Sequence, residues 1–314
     1  MTQNSQTAVA TPKLASRLAG FIARIIASPE VALAGERCGL APSEAERLLK
    51  IYTNEAHVGL ELVMPLLHPG QRVLEIGCGI GVLSTFLIDE GFNLTGIEPG
   101  SSGFGFMPQI GAEILKLSPQ WPGLCWLDIG AKQLNPAQHG MFDLIYSVNV
   151  LEHVSDLEGA FRGMSSVLAP GGSMIHMCPN YFVPYEPHFG IPLIPFKPRA
   201  TRMLFPETVK KYPGIWDELN FITAGRVKRL ALANRMNVSF DGGVLASMLR
   251  RFERDPVFRR RQGALAALAH RIISGLKLTT LLGAVPGAYM TPMVLRLNHA
   301  GVSAIGGEVQ RTRQ

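Results

Sequence analysis

Cysteine is scarce in this chain: four residues in 314, Cys38, Cys78, Cys125 and Cys178, with no C-x-x-C pair among them. The spacing argues against a cysteine-held metal cluster. Cys78, Cys125 and Cys178 fall in or beside predicted strands, where a free thiol behaves as a small apolar side chain. A reducing, cytoplasmic compartment and no metal are therefore expected. Acid is missing from the first 29 residues, which carry only Lys13, Arg17 and Arg24 as charges. An unbroken apolar segment is missing there too, so a secretory signal is not expected. There is no internal repeat, no low-complexity stretch and, at 47% hydrophobic residues, no bias toward disorder. The length leaves one or two domains open.

What is present is organised around residues 72–88. Arg72-Val73-Leu74-Glu75-Ile76 is a short apolar run with β-branched members, as in a buried parallel strand. Gly77, Gly79 and Gly81 follow at alternate positions, and Val82–Ile88 resumes with apolar residues at helical spacing. A strand, glycine turn and helix bring backbone N–H groups close to a ligand, because no Cβ stands in the way. A dinucleotide site would carry G-x-G-x-x-G; here the third glycine comes one residue early and Val82 takes its place. The spacing tilts against a pyrophosphate-binding dehydrogenase without excluding it.

Strands are then predicted at Phe92–Ile97, Leu124–Leu127, Phe142–Ser147 and Ser173–Cys178, alternating with helices. This is the pattern of an α/β, doubly wound sheet with right-handed crossovers. Ligands of such sheets bind at strand C-termini. Glu98 ends the second strand seventeen positions beyond Gly81, where an acid can accept two hydrogen bonds from a ribose diol. Asp128 ends the third and is placed for an adenine amino group. Ser155-x-x-Glu158 fits a capping box for the following helix.

Together these segments resemble the class I S-adenosylmethionine-dependent methyltransferases. The residues that carry the resemblance are Val73–Gly81, Gly96-Ile97-Glu98, Asp128, Phe142–Ile145 with Leu151-Glu152-His153-Val154, and Leu168-Ala169-Pro170-Gly171-Gly172. The resemblance implies a seven-stranded Rossmann-like sheet and S-adenosyl-L-methionine as cofactor. It implies that Gly77, Gly79 and Gly81 shape the cup for the methionyl part, with Glu75 supporting that loop. Glu98 would hold the ribose hydroxyls, and Asp128 with Ile129 would recognise adenine. The last two strands are expected at Asn237–Phe240 and Pro292–Leu297, one of them antiparallel. The domain reading is an N-terminal helical lid over 1–68, a cofactor-binding core over 69–242, a helical insertion over 243–290 and a final strand and tail over 291–314.

Substrate residues are expected from the N-terminal helices and from the proline- and aromatic-rich loop 179–212, which is too long for a plain connector. His188 is the candidate general base, being the titratable group there with an ordinary pKa near neutrality; a His that only bonds the loop backbone is the equal alternative. His153, at a strand end, could face the transferred methyl or order its loop. His176 reads as structural, and Tyr181, Tyr185 and Glu186 are candidates to line the pocket.

The net charge is +6, with six arginines in Arg250–Arg261. Peripheral contact of 250–290 with anionic lipid is one reading and a solvated face the other. The uncharged span Leu278–Leu295 is long enough to raise a membrane helix, but Gly283, Pro286, Gly287 and Pro292 break it. The apolar residues of Leu14–Ile26 at helical spacing suit a lid or surface helix, with a membrane-surface helix or a transit peptide as alternatives. The expected activity is O-directed methyl transfer to a small or lipid-linked metabolite, glycans being a favoured subset. A nicotinamide-dependent oxidoreductase and a non-catalytic S-adenosylmethionine-binding protein are the alternatives. No nucleic-acid partner is expected, because no RNA-binding motif and no Asn-Pro-Pro-Tyr-type signature is present.

Overall fold

The computed structural model describes residues 3–100, 106–119, 125–195, 197–211, 214–243, 271, 275 and 285–301, with side chains from Lys13 onward except that of Cys125. Most of the expected insertion, including Arg250–Arg261 and the start of the span from Leu278, lies outside the described residues, as does the tail beyond 301.

Three helices come first: α1 (Gln3–Ala27), α2 (Pro29–Arg37) and α3 (Pro42–Val63). The break between α1 and α2 is made by Ser28, whose hydroxyl accepts the Val31 N–H, with Pro29 at the first helical position. The sequence suggested two helices, one from Ser43 and another over Glu55–Leu67; they are one continuous α3, because nothing between them interrupts the backbone ladder. Helix α1 likewise begins well before Leu14.

The sheet follows the chain as β1 (Arg72–Ile76), α4 (Val82–Asp89), β2 (Asn93–Ile97), α5 (Met107–Lys116) and β3 (Cys125–Leu127). Then come a short α6 (Pro136–His139), β4 (Phe142–Val148), α7 (Leu157–Val167) and β5 (Leu168–Cys178). A two-stranded hairpin, β6 (Tyr185–Glu186) with β7 (Ile191–Pro192), leads to three short helices, α8 (Pro198–Leu204), α9 (Pro206–Lys210) and α10 (Ile215–Glu218). The chain then forms α11 (Ala224–Ala233), β8 (Met236–Phe240) and β9 (Met293–His299). Seven strands lie in the order β3-β2-β1-β4-β5-β9-β8. The first five are parallel, and β9 is antiparallel to both β5 and β8. This is the Rossmann-like methyltransferase sheet, and its last two strands pair across the long intervening segment.

Two details differ from the sequence reading. The Ala169–Gly172 turn is absorbed into β5, where Gly171 at φ +79° accompanies a register shift against β4. The cap of α7 is Asp156 rather than Ser155: its carboxylate accepts the Gly159 N–H at 2.9 Å, and an anion is the better partner for a helix N-terminus.

The sheet is covered on both faces, so its strands read as continuous apolar runs. Along β1 and β4 successive side chains serve opposite cores: Val73, Leu144 and Tyr146 face α1–α5, and Leu74, Phe142 and Ile145 face α7, α11 and the hairpin. Leu18, Phe21, Ile22 and Ile25 of α1 are buried with Leu60 and Val63 of α3 and Phe86 and Leu87 of α4. Each such side chain contributes about 1.5–3 kcal/mol. Among the described residues no single helix is long and apolar enough to cross a membrane; the bent pair Lys13–Ala27 and Pro29–Arg37 has the length, and its apolar stripe is spent on this core.

Candidate active site

A cavity of about 490 Å³ opens at the C-terminal ends of β1, β2 and β4, roofed by Arg47, Leu48, Ile51 and Tyr52 of α3. Its size suits a small molecule, for which roughly 300–1,000 Å³ is usual. The floor is the glycine turn. Gly77, Gly79 and Gly81 all have positive φ, +68°, +56° and +73°. A Cβ on Gly79 would stand 2.9 Å from the Tyr52 ring, and one on Gly77 would strike Val150, so these two positions leave no room for a side chain. Gly77 and Gly79 wall the cavity. Gly81 does not; it starts α4 and packs on Trp126.

Glu75 lies below the turn, fully enclosed, and accepts the Ser84 hydroxyl. Burial pushes its pKa up to about 7, against the effect of the Ser84 bond. Glu98 lines the cavity and its Oε2 accepts the Gly79 N–H at 2.8 Å. Burial raises Glu98 to about 7; the Gly79 bond opposes this and the nearby Asp128 adds to it. Asp128 is exposed and is not part of the cavity lining; its Oδ1 accepts the Gly100 N–H at 2.7 Å, while its neighbour Ile129 lines the cavity. A turn with glycine at the cavity wall and an acid on the next strand fit a donor with a ribose and no phosphates. No lysine or arginine stands on the turn itself.

A cluster of acids and imidazoles stands at the same cavity. Asn149, at the end of β4, adopts φ +53° and donates from Nδ2 to Glu55 Oε1 at 3.0 Å. Burial lifts Glu55 to about 7, with the Asn149 bond and His188 pulling the other way. Glu152 is fully buried and neither carboxylate oxygen has a hydrogen-bond partner in another residue. Burial drives its pKa up to about 8. His153 and His188 line the cavity with ring centroids 5.1 Å apart, edge to face. Burial, then the neighbouring His188, lowers His153 to about 4, so its ring is neutral. Burial also works against a charged His188, yet its bond to Glu186 and the proximity of Glu186, Glu152 and Glu55 carry the net shift upward. Glu152, His153 and His188 bring one ligand-type atom each within 4.8 Å of one another.

The structure thus gathers His153 and His188, 35 positions apart in sequence, at the wall of one cavity. Tyr181 and Glu186 stand behind the wall rather than lining it: both are buried, with the Tyr181 hydroxyl donating to Glu186. Tyr185 is exposed and away from the cavity. His176 is enclosed within β5 against Ser147, its pKa lowered by burial to about 3, and serves the sheet. The sequence reading missed Tyr52, Glu55, Asn149 and Glu152. Asn149 was within reach of the strand-end rule that found Glu98, and Glu152 adjoins His153; Tyr52 and Glu55 come to the site only through the placement of α3.

Residues 49–212 match a family described as a methyltransferase domain. An uncharacterized protein of Mycobacterium tuberculosis (strain H37Rv) is 35% identical over 73% of this chain and 78% of its own length. A ubiquinone biosynthesis O-methyltransferase of Albidiferax ferrireducens is 32% identical over 36% of this chain and 45% of its own. Among solved structures, a Haemonchus contortus phosphoethanolamine N-methyltransferase 2 with S-adenosyl-L-methionine aligns over 78% of this chain and 51% of that one, at 16% identity and a TM-score of 0.43. The chain belongs to the methyltransferase-domain family and is a class I S-adenosylmethionine-dependent methyltransferase, with S-adenosyl-L-methionine as its methyl donor. A nicotinamide-dependent oxidoreductase is not favoured.

Proposed function

We propose that the chain transfers a methyl group to a hydroxyl of a small or lipid-linked metabolite, a glycan being a favoured case. The observation that carries this reading is one cavity lined both by Glu98 on the glycine turn and by His153 and His188. The donor supplies a methyl on a positively charged sulfur, a reactive group that mainly needs alignment. Gly77 and Gly79 would bind its methionyl part by backbone approach, Glu98 its ribose, and Asp128 with Ile129 its adenine. Glu75 would hold the turn from beneath through Ser84, and Gly81 by starting α4.

A hydroxyl, unlike a neutral amine, must shed its proton to become a good nucleophile. The paired histidines supply a place for it, which supports an oxygen acceptor. The Albidiferax relative, an O-methyltransferase of ubiquinone biosynthesis, points the same way. Apolar side chains in the cavity lining, Leu48, Ile51, Val154 and Ile215, would suit a lipophilic body. Helix α3 acts as the cover, closing over the turn through Tyr52. A cytoplasmic location with peripheral membrane contact fits such an acceptor.

The test compares metabolites of cells carrying the wild-type chain with cells carrying Glu98→Ala. The expected result is accumulation of a hydroxyl compound one methyl short of its normal product. Accumulation of an unmethylated amine would refute the oxygen assignment.

A further inference from the structure

We propose that Glu186 is the positioning residue of a carboxylate–imidazole pair that holds His188 with Nε2 free to take the acceptor's proton. The inference rests on the proposed function and adds the device by which His188 performs it. Glu186 is a fully buried acid in a two-residue strand. Three donors converge on its two oxygens: the Tyr181 hydroxyl at 3.1 Å and His188 Nδ1 at 2.6 Å on Oε1, and the Phe189 N–H at 2.7 Å on Oε2.

A carboxylate only accepts, so the bond to His188 places a proton on Nδ1. In the neutral ring Nε2 is then the lone-pair nitrogen, on a side chain that lines the cavity. The support is rigid. Gly190 N–H bonds back to the Glu186 carbonyl at 2.9 Å, and Phe189 is buried edge-on against Trp216. His188 therefore stands on a closed five-residue turn, Glu186 to Gly190, whose neighbours are in the core.

The groups facing His188 come from three elements: Glu186 on its own hairpin, Glu152 and His153 after β4, and Glu55 on α3. His153 is neutral and offers no competing charge, while the three acids favour the protonated His188. In the step itself the acceptor oxygen forms the bond to the methyl carbon as the carbon–sulfur bond breaks, its electron pair staying on sulfur. The acceptor's proton passes to His188 Nε2, and the imidazolium is held against Glu186.

The full chain labelled with ¹⁵N-histidine tests the tautomer without an acceptor. Wild type should show His188 protonated at Nδ1 and titrating above 6.5; in Glu186→Gln the titration should fall by about one pH unit or more. A glutamine has one oxygen for three donors and must turn an N–H toward either His188 or Phe189. Methyl transfer from radiolabelled S-adenosyl-L-methionine into a metabolite extract of cells lacking the gene supplies the rate. Glu186→Gln should slow transfer at least tenfold at unchanged cofactor affinity, with Glu186→Asp recovering part of it. Tyr181→Phe, which removes one donor and no charge, should give a smaller loss.

A wild-type His188 protonated at Nε2 would overturn the proposal, as would full transfer by Glu186→Gln. So would transfer abolished by a chelator and restored by magnesium alone, since His188 would then serve a cation. Absence of S-adenosyl-L-methionine binding by the wild type would instead remove the underlying functional reading.

Discussion

Glu98 Oε2 accepts the Gly79 N–H at 2.8 Å, tying the end of β2 to the turn that follows β1. One acid thus shapes the floor of the cavity and occupies the place where a ribose would be gripped. Burial holds it near pKa 7 in the free protein. Gripping two hydroxyls requires the ionised form, so cofactor affinity should fall about tenfold per pH unit below about pH 7 and level off above it. The sign for stability is opposite: the folded pKa is above the unfolded value of 4.5, so the protonated group contributes stability at low pH that is lost as pH rises through about 7. Calorimetric titration with S-adenosyl-L-methionine from pH 5.5 to 8.5 checks the first part. An affinity that ignores pH would contradict it, and Glu98→Gln should flatten the profile.

Gly79→Val should abolish cofactor binding and leave the fold in place. Its φ of +56° strains any L side chain, and a Cβ there meets Tyr52. The strain costs about 1–2 kcal/mol, too little to unfold a domain of this size. Circular dichroism alongside a binding titration separates the two effects; unchanged affinity would count against the turn as the cofactor cup.

Asn149 offers a test that separates backbone from side chain. It holds a left-handed backbone and bonds Glu55. Asn149→Ala should lower stability by about 1–2 kcal/mol, through strain plus the lost bond. Asn149→Gly relieves the strain and should cost less. Urea melts of both variants read the difference, and a glycine variant less stable than the alanine one would show that the left-handed conformation is unimportant.

Gly163 of α7 lies against the backbone of Ala131, where a Cβ would collide with the carbonyl oxygen. Backbone cannot step aside as a flexible side chain can. Gly163→Ala should therefore destabilise by about 2–3 kcal/mol and loosen the segment that carries Ile129 into the cavity. Thermal melts with and without cofactor measure it; an unchanged melting temperature would mean that α7 shifts freely.

Of the residues expected on the cofactor side, Gly77, Gly79, Glu98 and Ile129 line the cavity, while Gly81 and Asp128 do not. Glycines at 77, 79 and 81, an acid at 98 and another at 128 follow from chain direction and strand ends, because a parallel sheet puts successive strand termini on one edge. The acceptor side was legible only in part. His188 stood out by its chemistry, but its partner Glu186 was taken for a lining residue. Two positions of sequence cannot tell which side of a hairpin faces the cavity; the packing of Tyr181 and Phe189 settles that.

By itself the sequence determined the alternation of strands and helices, the glycine turn and the acids at strand ends, all consequences of local periodicity and chain direction. Only the tertiary structure decided that Tyr52 and Glu55 of α3 close over the turn and that His153 meets His188. The reason is physical. Those contacts join segments far apart along the chain, and their choice depends on how two apolar cores on opposite faces of one sheet are filled, which no local pattern encodes.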